Sequence, residues 1–203
     1  MRLSALICLI GFLLSCGQPY DVVEVLDDEG ILVERYQRIK KSGAKTGPYQ
    51  KFGDEGKIVE AGVYKNGALH GARTIYYDEN RVKLVETYRK GAFEGPYKYY
   101  HENGQVEIEG EYIDGVMAGD WKMYYESGQL LEVVKFVNNE EHGPFTEYHE
   151  NGKLKTEGHY KNGDNEDGLL KLYNESGELY KKMECDSGKC QTIWTLESSE
   201  VGQ

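Results

Sequence analysis

Residues 95–119 decide the reading of this chain. They run Gly95-Pro96-Tyr97-Lys98-Tyr99-Tyr100-His101-Glu102-Asn103-Gly104-Gln105-Val106, then Glu107-Ile108-Glu109-Gly110-Glu111-Tyr112-Ile113-Asp114-Gly115, and return through Val116-Met117-Ala118 to Gly119. Two runs rich in aromatic and β-branched residues are each followed by a tight-turn signal, Glu102-Asn103-Gly104 and Asp114-Gly115. That is strand, turn, strand, turn. The same glycine recurs at Gly47, Gly71, Gly95, Gly119, Gly143 and Gly168, spaced 24, 24, 24, 24 and 25 residues apart. Such self-similarity marks a repeat architecture, in which each unit buries its apolar face against its neighbours.

Three further columns move with the glycine. Five residues on stands a ring: Phe52, Tyr76, Tyr100, Tyr124, Tyr148, Tyr173. Eleven on stands an aliphatic residue: Ile58, Val82, Val106, Leu130, Leu154, Leu179. Seventeen on come Tyr64, Tyr88, Tyr112, Phe136 and Tyr160, then Cys185. The first turn has glycine at its third place in five repeats and Asn80 in the other, which predicts positive φ there. The second turn reads Asn66-Gly67, Lys90-Gly91, Asp114-Gly115, Asn138-Asn139, Asn162-Gly163 and Ser187-Gly188, a hairpin signal. Strand alternation places Ile58, Glu60, Gly62 and Tyr64 on one face, and likewise Val106, Ile108, Gly110 and Tyr112. Gly62, Gly110 and Gly158 stand two before a tyrosine, where the missing side chain leaves room for a neighbouring ring. The other face varies from Val59, Ala61 and Val63 to Glu107, Glu109 and Glu111. How the rings of the first strand align with the second is open.

The pattern Gly-x-aromatic-x-x-Tyr-x-x-x-Gly followed by Tyr-x-x-Gly resembles the MORN repeat, and more closely the bacterial variant found in antitoxin-like proteins. The resemblance spans Gly47–Gly188, with a degenerate first unit over Val22–Thr46 and a continuation through Gln191–Leu196, where Trp194 stands in the place of Trp121. It implies an all-β fold: a linear array of antiparallel β-hairpin repeats forming one elongated twisted sheet. At about 4.8 Å per strand, about twelve strands would span nearly 60 Å.

The N-terminus reads as an export signal over residues 1–15. Arg2 precedes the apolar run Leu3–Leu14, which as a helix would rise only about 18 Å, short of a membrane span. Leu13-Leu14-Ser15-Cys16 resembles a bacterial lipobox, which implies cleavage before Cys16 and lipidation of its thiol. Residues 16–21 then form a short tether, 22–196 the array with repeats from 47, 71, 95, 119, 143 and 168, and 197–203 a polar tail. Gly17 after the cysteine resembles the outer-membrane sorting pattern of Gram-negative lipoproteins. The expected location is the cell envelope, with the membrane contacted through the N-terminal lipid.

The net charge is -11; without residues 1–15, 23 basic face 35 acidic side chains, giving -12. Such a surface repels phosphates and anionic headgroups, which argues against nucleic acid and against anionic lipid as ligand of the array. Of four cysteines, Cys8 leaves with the signal and Cys16 takes lipid. Cys185 and Cys190 flank one turn, and an oxidising compartment favours a disulfide between them over two reduced thiols. A metal there would need two further ligands that the neighbourhood does not supply.

No phosphate-cradling loop, His-Glu-x-x-His or serine elbow is present, so the chain reads as a non-enzyme without cofactor or metal. His70 and His142 precede repeat glycines, while His101 and His149 share another offset. Two histidines two repeats apart would be about 19 Å distant, so they read as equivalent turn and surface places. What remains is binding. The expected partner is a protein, held by a tyrosine-rich face that scaffolds it. The alternatives are an envelope glycan stacked on exposed rings such as Tyr97, Tyr99 and Trp121, or an antitoxin-like role toward an exported protein.

Overall fold

The computed structural model describes residues 7–8, 19–78 and 80–197. The export signal (Ile7 and Cys8 apart), Cys16, the start of the tether and residues 198–203 of the tail lie outside the described residues. The fold is all-β, and its strands pair antiparallel with their neighbours in the chain. It divides into two compact bodies, Met1–Gly95 and Pro96–Gln203.

In the N-terminal body, Tyr20–Leu26, Leu32–Ile39, Lys45–Phe52 and Ile58–Lys65 pair in succession. Gly71–Asp78 and Arg81–Arg89 follow. Ile7–Cys8 pairs with Glu24 and Val25. In the C-terminal body the ladder runs through Val106–Ile113, Val116–Tyr124, Leu130–Val137, Glu140–Tyr148, Leu154–Tyr160, Gly168–Tyr173, Leu179–Asp186 and Lys189–Thr195.

The second turns are built as their sequences predict. Asn138 and Asn139 both take positive φ (54° and 68°), as do Asp114 and Gly115 (51° and 85°). Two left-handed residues in a row give a turn whose twist matches the flanking strands. Register shifts fall beside the first turn, as between Met123 and Tyr124, and near the repeat glycine, as between Val134 and Phe136. Bulges bend a strand and raise its twist. Rings on one face are thereby brought into contact.

That inner face is now aligned. Tyr49 stands opposite Gly62, Gly47 opposite Tyr64 and Lys51 opposite Glu60. In each body the residue two after the repeat glycine (Tyr49 and Arg73 in the first; Tyr97, Trp121, Phe145 and Leu170 in the second) lies beside the column of residues fifteen after it (Gly62 and Glu86; Gly110, Val134, Gly158 and Met183). In the C-terminal body Trp121, Val134, Phe145, Leu170 and Cys185 are buried along this row, with Tyr112, Phe136 and Tyr160 packed against them. Glycine supplies the floor. A Cβ on Gly62 would stand 2.8 Å from Tyr49 Cε1, and one on Gly158 2.7 Å from Phe145 Cε1. Phe145 stacks on Tyr160 at 4.0 Å between centroids. Val59 and Val63, on the opposite face, are exposed.

Candidate functional site

The repeats are stapled at both edges. Six residues after the repeat glycine, His101 Nε2 lies 2.9 Å from the Tyr124 carbonyl and His149 Nε2 2.8 Å from the Tyr173 carbonyl. The Tyr125 hydroxyl donates to the Tyr148 carbonyl at 2.8 Å. Two residues further, Asn103 Nδ2 and Asn151 Nδ2 donate to the carbonyls of Glu126 and Glu175. From the repeat at Gly95 to that at Gly143, each first turn thus holds the next one. At the other edge, Gly163 N donates to the Glu141 carbonyl and Gly188 N to that of Glu166. Two histidines at one offset have one structural role. His142 and His159 stand side by side at 6.2 Å between rings, a proximity that the offset argument missed. Among the described residues no cluster of His, Cys, Asp and Glu could hold a metal ion.

In the N-terminal body the inner face carries its own charges. Arg73 occupies the ring column. Its Nε and Nη2 donate to both oxygens of Glu60 at 3.0 Å, and Nη1 to Glu86 at 2.7 Å. Glu60 also accepts from Tyr49 at 2.7 Å and Lys51 at 3.1 Å, and Glu86 from Tyr88 at 2.9 Å. Burial pushes the Glu60 carboxyl up, but these donors outweigh it and hold it down to about 2. Burial and the bond to Glu86 push the Tyr88 hydroxyl up to about 12. Lys45, two before Gly47, places Nζ 4.2 Å from the Tyr36 ring centre and 5.3 Å from that of Tyr64, and pairs with Glu34 at 2.5 Å.

The C-terminal body is different. A groove of about 390 Å³ opens on its inner face, lined by Tyr97, Tyr112, Met117, Trp121, Phe136 and Glu141 among others. The rings of Tyr97, Tyr112 and Phe136 stand 5.4, 5.4 and 5.8 Å from Trp121. Glu141 is the strand partner of Phe136, and Glu132 that of Glu147. Burial, then the charges of Glu147 and Glu141, push the Glu132 carboxyl up to about 7. Burial and Asp164 raise that of Glu141.

Trp121 is 5% exposed and lies across Gly110, with its indole Nε1 buried and without a hydrogen-bond partner. The expectation of an exposed stacking ring is therefore corrected at Trp121: the missing Gly110 side chain lets the indole sink into the sheet. Tyr97 packs half-buried against it, and Tyr99 is half-buried too. Cys185 and Cys190 are opposite strand partners joined by a disulfide, with Cα atoms 4.0 Å apart.

No curated protein matches the chain. The family described as MORN repeat variant matches residues 93–114, 117–138 and 141–162, each match beginning two residues before a repeat glycine. Residues 93–162 hold three MORN repeats of this variant type.

Proposed function

We propose that the chain is a protein-binding or scaffolding module, held at the cell envelope by lipid on Cys16. The observation that carries the reading is the open groove on the inner face of the C-terminal body, within and beside the MORN repeats. Backbone and turn staples hold the repeats together, and the groove stays open on the inner face between them. Rings with polar tips offer large contact area at low entropic cost. Burial of Trp121 disfavours the glycan alternative, because a sugar needs an accessible ring face. The anchor rests on Leu13-Leu14-Ser15-Cys16. It brings the array close to the bilayer, since the stretch Gly17–Asp21 reaches at most about 18 Å.

Chemical cross-linking in the intact envelope tests the binding reading. A partner polypeptide joined to residues around the groove is expected; cross-links only to abundant bystanders, in proportion to abundance, would refute it. Cys16→Ser is expected to release the protein from the membrane fraction, and a variant that stays bound after a high-salt wash refutes the anchor.

A further inference from the structure

One repeat position carries glutamate in both bodies but a cation beside it in only one, and another carries opposite charges in the two. Thirteen residues after the repeat glycine stand Glu60 and Glu132. Glu60 meets Arg73, supplied from two residues into the following repeat. The corresponding residue beyond Glu132 is Phe145, which offers no cation. Two residues before the repeat glycine stand Lys45 in one body and Glu141 in the other. Lys45 lies between two tyrosine rings and against Glu34. Glu141 lies opposite Phe136 with a carboxylate where that ammonium would be. Glu166 repeats the sign opposite Tyr160.

The N-terminal body is thus internally neutralised, and the C-terminal inner face is not. Lys155 pairs with Glu147 at 3.4 Å, but among the described residues no lysine or arginine forms an ion pair with Glu132, Glu141 or Glu166. Like charges gathered in a half-buried hollow cost free energy unless a cation joins them. The groove beside them is apolar and open, with Met117 and Met123 among its lining residues. A long side chain with an apolar stem and a cationic head has the matching chemistry, because such stems pack on apolar surface while ring faces and carboxylates attract the head.

Resting on the protein-binding reading above, we propose that this groove takes up a lysine or arginine side chain of a partner protein. The stem lies along Tyr112, Met117 and Phe136, and the head is met by Glu132 and Glu141. Lys45 and Arg73 show the same recognition satisfied within the chain itself.

The experiment follows the Trp121 indole N–H by NMR while a short synthetic peptide with one central lysine is added. Trp194, the other tryptophan, serves as reference. A saturable shift at Trp121 is expected. It weakens at least about ten-fold with the Nε-acetylated twin of the peptide, where the charge is removed and the length kept. The Glu132→Gln/Glu141→Gln variant is expected to lose the shift equally, whereas Glu126→Gln/Glu150→Gln, the same charge change at exposed first turns, keeps it. The acetylated peptide acts on the ligand side, so the test survives any folding defect in the variants. Equal binding of both peptides overturns the proposal. So does a shift confined to the opposite face around Lys98 and Asp120, or a neutral oligosaccharide that gives the same Trp121 shift whether or not the two glutamates are neutralised. A partner captured in the envelope whose capture ignores Glu132→Gln/Glu141→Gln refutes this inference and leaves the binding reading intact. Peptide binding without any envelope partner does the reverse.

Discussion

Gly110→Ala probes the feature on which the core depends. A Cβ at this position would stand 2.7 Å from Trp121 Cγ and closer still to Cδ2 and Cε2, where carbon contacts normally settle at about 3.5–4.0 Å. The indole has little room to retreat. Tyr97, Tyr112 and Phe136 pack around it, and Val134 is its strand partner on the far side. Overpacking of this kind costs about 1–3 kcal/mol. Gly110 does not lie in the left-handed region, so alanine suits the backbone and returns about 0.4–1 kcal/mol through the unfolded chain. The net expected loss is about 1–2 kcal/mol. Trp121→Ala by itself should cost about 3–5 kcal/mol. Once the indole is gone, Gly110→Ala should become neutral or stabilising by up to about 1 kcal/mol. Urea unfolding of the four proteins, followed by circular dichroism, therefore should return a coupling of about 1–3 kcal/mol. If Gly110→Ala costs the same with and without Trp121, the ring-over-glycine account is wrong.

Arg73→Met should destabilise by about 3–5 kcal/mol, because buried Glu86 loses its cation and Glu60 keeps only Lys51. Adding Glu60→Ile and Glu86→Val, with tryptophan in place of Arg73, recreates the pattern of Ile108, Trp121 and Val134 two repeats on and should restore stability in thermal melts; no recovery would show that the network has a role beyond charge balance. Glu132 binds its proton more tightly in the folded protein, near pH 7, than in the unfolded chain, near 4.5. Its contribution is complete below pH 4.5 and lost as pH rises through 7, so wild type should lose stability against Glu132→Gln between pH 5 and 8. Parallel pH–stability curves would contradict this. Reduction of Cys185–Cys190 should raise hydrogen exchange over about Gly177–Leu196 and leave Val116–Tyr148 unchanged, since a short loop restrains only its own hairpin. Unfolding throughout would refute a local clamp.

Much of this fold is legible along the chain because its determinants are local. Asn138-Asn139 and Asp114-Gly115 make a left-handed pair affordable wherever they stand, and the 24-residue period repeats the same strand and turn. The open place at Gly62, Gly110 and Gly158 is equally visible, since an absent side chain every other repeat needs a filler. The staple from His101, Tyr125 and His149 to the following repeat was half visible: two share a residue type, but only the hydrogen bonds show that tyrosine does the same task. The sequence by itself determined the all-β repeat and the turns. Tertiary structure alone decided that Trp121 sinks while Glu132, among the described residues, is left without an ion-pair partner. Those outcomes depend on which residue of the next repeat stands across the strand, and the bulges, which shift the register by one residue beside the first turn and by two near the repeat glycine, set that alignment.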